Sequence, residues 1–273
     1  MNQQTSIPAI VVFDIDGVVR DVSGSYRRAL ADTVEHFTAQ AYRPTADDID
    51  RLKSEGVWNN DWEGSQELIY RYFETQGKSR EQVNLDYNSI VAFFQSRYRG
   101  DDFKNLTGYI RDEPLLLQPS YLNQLTEAGI RWGFFSGATR ASATYVLQQR
   151  LGLQSPVLIA MEDAPGKPDP TGLFSTLELL QYGTNNTNII NINNSSPIIY
   201  VGDTVADMYT VEKAQNIQPN RTWIAVGVLP PHVQQTAQKR DDYTESLKKA
   251  GAKIVISNVQ QLTPEKIQKL VDS

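Results

Sequence analysis

Apolar residues fall into short runs at the two ends of this chain and into helical spacing between them. The first run is Ile10-Val11-Val12-Phe13, four residues long and ending in two acids one residue apart, which predicts a buried strand. Residues 24–40 follow with Tyr26, Leu30, Val34 and Phe37 at helical spacing. Residues 45–100 are expected to be helical throughout. Leu68, Ile69, Tyr72 and Phe73 form one apolar face there, and Tyr87, Ile90, Val91 and Phe94 another. From about residue 115 the pattern alternates. Helices predicted over 119–128, 139–151, 170–181, 204–215 and 243–250 precede the apolar strands 132–135, 157–160, 198–201, 223–226 and 254–256, and a last helix covers 261–271. Short apolar strands alternating with helices predict an α/β fold with a doubly wound parallel sheet. The first strand lies before residue 20 and the others after 115. Residues 1–20 and 115–273 are therefore expected to form the sheet domain, and 21–114 an inserted helical domain. The Asn- and Thr-rich stretch 183–197 reads as a surface loop.

Composition narrows the function classes. The chain has 273 residues, 40% of them hydrophobic, which suits a well-buried core. The net charge of −6 gives no support for a nucleic-acid binder. The absence of cysteine removes thiol catalysis, zinc–thiolate sites and disulfides. No apolar run approaches the roughly 20 residues a spanning helix needs. The first nine residues lack a basic segment followed by an apolar one, so no signal peptide is expected. The expectation is a cytoplasmic protein, a monomer or small homo-oligomer, with no membrane or nucleic-acid partner.

The candidate chemistry sits where strands end. Strand one runs into Asp14-Ile15-Asp16-Gly17, two carboxylates one residue apart. Extended alternation would send both to the same side, at the carboxyl edge where open α/β sheets carry their sites. Two converging carboxylates suit a hard cation, or a nucleophile beside a general acid. The second strand ends in Ser136-Gly137-Ala138-Thr139, where a hydroxyl and helix-start amides make an anion site. Gly166-Lys167-Pro168-Asp169-Pro170 places a lysine in a proline-stiffened loop. Val201-Gly202-Asp203-Thr204-Val205-Ala206-Asp207 places two acids one helical turn apart. Each fragment alone has an ordinary structural reading as a turn, a loop lysine or a helix-start charge. The conjunction, in one order and at successive strand ends, does not.

Those four motifs resemble the haloacid dehalogenase (HAD) superfamily of aspartate-dependent phosphatases, over roughly residues 1–20 and 115–273. The insertion resembles that family's α-helical cap. The resemblance implies a Rossmann-like core and a Mg²⁺-dependent phosphomonoester hydrolase acting on a small phosphorylated metabolite. It implies Asp14 as the nucleophile and Asp16 as the general acid, then base. Mg²⁺ would be held by Asp14, the backbone carbonyl of Asp16 and Asp203, with Asp207 a ligand directly or through water. Ser136 and the amides from Gly137 onward would bind phosphoryl oxygens, and Lys167 would neutralise charge. The alternatives are a sugar-phosphate mutase of the same fold, a non-catalytic relative binding a phosphorylated ligand, and a receiver-type domain. The large insertion and the Asp-x-Asp spacing count against the last.

Three further features lie outside those motifs. Trp58, Asn59 and Asn60, beside Trp62, form either a polar recognition surface with aromatic walls or a helix start capped by Asp61 over a tryptophan core. Arg20 either reaches a second anionic group of the substrate or lies at the surface. His36 and His232 are isolated and read as structural.

Overall fold

The computed structural model describes residues 9–55, 57–58, 60–102, 106–182 and 196–273. The expected loop at 183–197 therefore lies outside the described residues, apart from Ser196 and Pro197. The chain divides into two compact units, one of residues 1–21 and 115–273 and one of residues 22–114.

The larger unit carries six parallel strands: β1 (Ile10–Phe13), β2 (Arg131–Phe135), β3 (Leu158–Ile159), β4 (Ile198–Gly202), β5 (Trp223–Val228) and β6 (Ile254–Ile256). Their order is β3-β2-β1-β4-β5-β6. Phe13 lies level with Phe134 of β2 and Val201 of β4. β1 is central, and connections leave it in both directions across the sheet. The gap between β1 and β4 is thus the topological switch point, where ligands of such sheets bind.

Both faces of the sheet are covered, which is why the strands read as unbroken apolar runs. Val11, Phe13, Phe134, Ile199 and Val201 pack on one face with α5 (Pro119–Glu127), α6 (Arg140–Thr144) and α10 (Pro264–Val271). Ile10, Val12, Phe135, Ile198 and Tyr200 pack on the other with α7 (Thr171–Tyr182), α8 (Val205–Ile217) and α9 (Ala237–Lys249). The period of two along β1 decides which residue serves which layer.

In the smaller unit, α1 (Tyr26–Phe37), α2 (Ala46–Ser54), α3 (Asp61–Thr75) and α4 (Tyr87–Tyr98) enclose Leu30, Val34, Leu52, Ile69, Ile90 and Phe94, all buried. Tyr26 stacks on Tyr98 at 4.1 Å. The block 45–100 is not continuously helical. Gly77, at φ 78°, ends α3, and a 3₁₀ turn at Arg80–Gln82 precedes α4.

Two helices differ from their periodicity. Residues 139–151 divide into α6 and a π-helical segment, Tyr145–Arg150. α9 starts at Ala237, well before the predicted 243, because its first turns (Ala-Gln-Lys-Arg-Asp-Asp) carry no apolar stripe. A side-chain cap sets that start: Thr236 accepts from the Lys239 amide. Among the described residues no helix is long and apolar enough to cross a membrane.

Phe134 is fully buried at the middle of the sheet, with ring centroids 6.0 Å from Phe13 and 5.8 Å from Trp132. Phe134→Ala is expected to cost about 3–5 kcal/mol of unfolding free energy, read from the shift of the urea midpoint at unchanged slope.

Candidate active site

β1 and β4 deliver acids to the switch point, but strand alternation does not place Asp14 and Asp16. β1 ends at Phe13. Beyond it the Ile15 carbonyl accepts from the amides of Val18, Val19 and Arg20, closing a tight turn. Gly17 adopts φ 75°, and a Cβ there would lie 2.1 Å from Asp203 Oδ2. Glycine is therefore required twice over, for the turn and for the approach of Asp203.

Asp14 is buried. Its amide donates to the Val201 carbonyl at 2.8 Å, tying β1 to β4. Its Oδ2 lies 2.7 Å from Lys167 Nζ, and its Oδ1 accepts from the Ile15 amide at 2.7 Å. Asp16 has a different setting. Its side chain is 27% exposed, and its Oδ1 pairs with the Arg20 guanidinium at 2.6 Å.

Lys167 also bonds Asp207 Oδ1 at 2.6 Å. It lies 5.4 Å from the Phe135 ring centroid and 5.5 Å from that of Tyr200. Two carboxylates and two aromatic faces therefore hold one ammonium group. Asp207 itself is fully buried and its oxygens are taken. Oδ1 lies 3.2 Å from the Tyr200 hydroxyl, while Oδ2 accepts from the amide and hydroxyl of Thr204 at 2.9 and 2.7 Å. Thr204 and Asp207 form a capping box that starts α8. Gly202 admits this arrangement, since a Cβ on it would meet the Asp207 side chain at 2.3 Å.

Oxygens of Asp14, Asp203 and Asp207 all lie within 4.8 Å of one another. The Asp203 backbone carbonyl is held from α9 by the Tyr243 hydroxyl at 2.9 Å. Burial pushes the Asp14 carboxyl up to about 6. Lys167 opposes the rise, while Asp207 and Asp16 add to it. Burial pushes Asp203 well above the usual carboxylate range too, with Asp207 and Asp14 reinforcing it. Burial alone would lower Lys167, but Asp14, Asp207 and Tyr200 outweigh it, so Lys167 stays charged. One ammonium thus faces three converging carboxylates. That excess of buried negative charge, made of hard oxygens, fits a divalent cation. Asp207 fits it indirectly, because a direct bond would displace one of its four hydrogen-bond donors.

Ser136 is buried, with its amide bonded to the Ile159 carbonyl at 3.0 Å. The expected anion site is partly committed. The Ala138 amide donates to Ser136 Oγ at 3.1 Å, and the Arg140 amide to Glu162 at 2.8 Å. Gly137 is exposed.

Arg20 is fully buried rather than at the surface. Its guanidinium bonds Asp16 and Ser142 Oγ, the latter at 3.0 Å, instead of extending toward a substrate. In the smaller unit, Asn60, not Asp61, caps α3 by accepting from the Trp62 amide at 2.9 Å. Asp61 pairs with Lys53 at 2.7 Å. Trp58 Nε1 donates to Glu55 at 2.8 Å. Asn59 lies outside the described residues. His36 stacks on Phe93 at 4.1 Å. Tyr200 and Tyr243 were not anticipated as site residues. A hydroxyl inside an otherwise apolar strand was a signal for Tyr200, whereas only the packing of α9 brings Tyr243 to Asp203.

A family model for haloacid dehalogenase-like hydrolases matches residues 8–215. An imidazoleglycerol-phosphate dehydratase of Phytophthora nicotianae is 28% identical over 253 residues, which cover 90% of this chain and 50% of that protein. The chain thus spans about half the length of that relative. Phosphatase Tt82 from Thermococcus thioreducens superposes with a TM-score of 0.61 at 21% identity, over 80% of this chain and 92% of its own. CbbY from Rhodobacter sphaeroides, solved with phosphate, superposes at 0.58 with 13% identity, over 93% and 96%. At such identities these likenesses concern the fold.

The raised carboxyl of Asp203 fixes a sign. Such a group stabilises the fold at low pH and withdraws that stability as pH rises through its elevated folded value. Without metal, Asp203→Asn is therefore expected to raise Tm at pH 7.5 and to leave it nearly unchanged at pH 4. Added Mg²⁺ is expected to raise Tm of the wild type at pH 7.5 more than that of the variant. Thermal denaturation at the two pH values, with and without the ion, checks both.

Proposed function

The chain belongs to the haloacid dehalogenase-like hydrolases, and from that membership we propose that it hydrolyses a small phosphomonoester through an aspartyl-phosphate intermediate. The observation that carries the reading is the set of acids at the switch point. Asp14 is buried against Lys167, Asp203 and Asp207 converge on it, and Asp16 sits two residues on with its side chain partly exposed.

Each group has a task its surroundings suit. A carboxylate oxygen of Asp14 attacks phosphorus, and the bond from phosphorus to the ester oxygen breaks. Asp16 gives the departing alkoxide a proton. It then takes a proton from the water that attacks the aspartyl phosphate, so that inorganic phosphate leaves and Asp14 is restored. Lys167, held charged by its two carboxylates, orients Asp14 and offsets the negative charge of the phosphoryl group. Ser136 and Gly137 would bind oxygens of the phosphoryl group as it passes to Asp14. Asp207, with both oxygens engaged, fixes Lys167. Asp14, the Asp16 backbone carbonyl and Asp203 would hold Mg²⁺, which when bound supplies positive charge against the phosphoryl oxygens and offsets the excess of carboxylates. Water is taken as the phosphoryl acceptor, in keeping with the hydrolase family.

The substrate class is a phosphorylated metabolite. A panel of phosphomonoesters identifies it, and includes imidazoleglycerol phosphate because that compound stands in the name of the half-matched relative.

Purified protein with Mg²⁺ is expected to release p-nitrophenol from p-nitrophenyl phosphate. Asp14→Asn is expected to lower kcat by at least about 10³-fold, and EDTA to abolish turnover reversibly. Undiminished turnover in the variant or in EDTA refutes the mechanism.

A further inference from the structure

Among the described residues Arg20 is the largest fully buried side chain that carries a charge, and the mechanism above does not use it. Its main chain is fixed by the turn after β1: the Gly17 amide donates to the Arg20 carbonyl at 2.9 Å, and Arg20 bridges to Leu115. Its side chain turns back on that loop. Nε donates to Asp16 Oδ1 at 2.6 Å, and a terminal nitrogen lies 2.6 Å from the same oxygen. The guanidinium also donates to Ser142 Oγ on α6 at 3.0 Å, and Ser142 is itself fully buried.

Stability does not explain this arrangement. A buried charge is costly unless paired, and an apolar side chain of similar size is often as stable in its place or more so. The guanidinium grips Asp16, whose side chain stays partly exposed, by a single oxygen, from the buried side. It also joins the loop that carries Asp16 to the helix that follows Ser136.

We propose that Arg20 is a positioning residue that clamps Asp16 through Oδ1, with Ser142 as its second anchor, so that Oδ2 faces the oxygen of the departing group. The inference rests on the hydrolase reading and deepens it. Arg20 does not touch substrate. It sets where the proton donor stands, and a misplacement of about 1 Å costs roughly 10²-fold in such transfers.

The leaving group separates this role from a merely structural one. Benzyl phosphate releases an alkoxide that must be protonated as its bond to phosphorus breaks. p-Nitrophenyl phosphate releases a stable phenolate that needs no proton. First-turnover release of benzyl alcohol and of p-nitrophenol is measured by rapid quench, with enzyme in excess and Mg²⁺ present. The proteins compared are the wild type, Arg20→Met, Arg20→Lys and Ser142→Ala. Arg20→Met is expected to slow the benzyl ester about 10²-fold and the nitrophenyl ester less than about 3-fold. Ser142→Ala is expected to shift the ratio of the two rates in the same direction by less, and Arg20→Lys to recover part of the benzyl rate. If circular dichroism shows Arg20→Met unfolded, the same ratio in the other two variants decides. Equal losses on both esters, or an undiminished benzyl rate, overturn the role of Arg20 and leave the hydrolase reading intact. A wild type that cleaves only the nitrophenyl ester also overturns it. A wild type that cleaves neither overturns both.

Discussion

The balance of charge around Lys167 is the interaction on which the larger unit's architecture turns. Asp14 and Asp207 reach its ammonium from β1 and from the first turn of α8, at 2.7 and 2.6 Å. Neither carboxylate would stay buried alone, because an isolated charge in a dry interior is far costlier than the stability of a domain allows. The lysine comes from the loop after β3, at the edge of the sheet, and the acids come from its centre. The pairing therefore ties the edge of the sheet to its centre, across the order β3-β2-β1-β4. Gly17 and Gly202 mark how close the backbones approach, since a Cβ at either would collide with an acid of the site.

The same balance divides four aspartates that look alike in the sequence. Asp207 is enclosed by donors from Lys167, Tyr200 and Thr204, and serves as a scaffold. Asp14 has burial raising its carboxyl and a lysine opposing that rise. Asp203 has mainly like charges as neighbours and is the most in need of a cation. Asp16 stands apart, paired with a guanidinium and partly in solvent. Residue type says little about these roles. The number of donors that reach each carboxylate decides them.

Much of this was legible beforehand, for physical reasons. Buried parallel strands must be apolar on both faces, so β1, β4 and β5 stand out as unbroken runs. Sites of open sheets lie at carboxyl edges, so the residues just past those runs stand out, and three of them, Asp14, Asp203 and Asp207, converge beside Lys167 in the folded protein. What escaped notice lacks a local signature. The first turns of α9 have no apolar stripe. Tyr243 reaches the Asp203 carbonyl only because α9 packs on β5 and β6 and beside α8. Arg20 follows a glycine turn and looked like a surface or substrate-facing residue, since nothing in its neighbours shows that its side chain folds back under Asp16.

The amino-acid sequence by itself determined the alternation of strands and helices, the helical block between β1 and β2, and the acids and lysine at the strand ends. These follow from periodicity and residue type, which are local properties. Tertiary structure alone decided which acid is scaffold, which is paired and which is left in excess. It also decided that a buried arginine stands behind Asp16 and that hydroxyls from β4 and α9 complete the site. Those outcomes depend on which groups, tens of residues apart, share one low-dielectric pocket, and charge, burial and hydrogen bonding are settled only once they do.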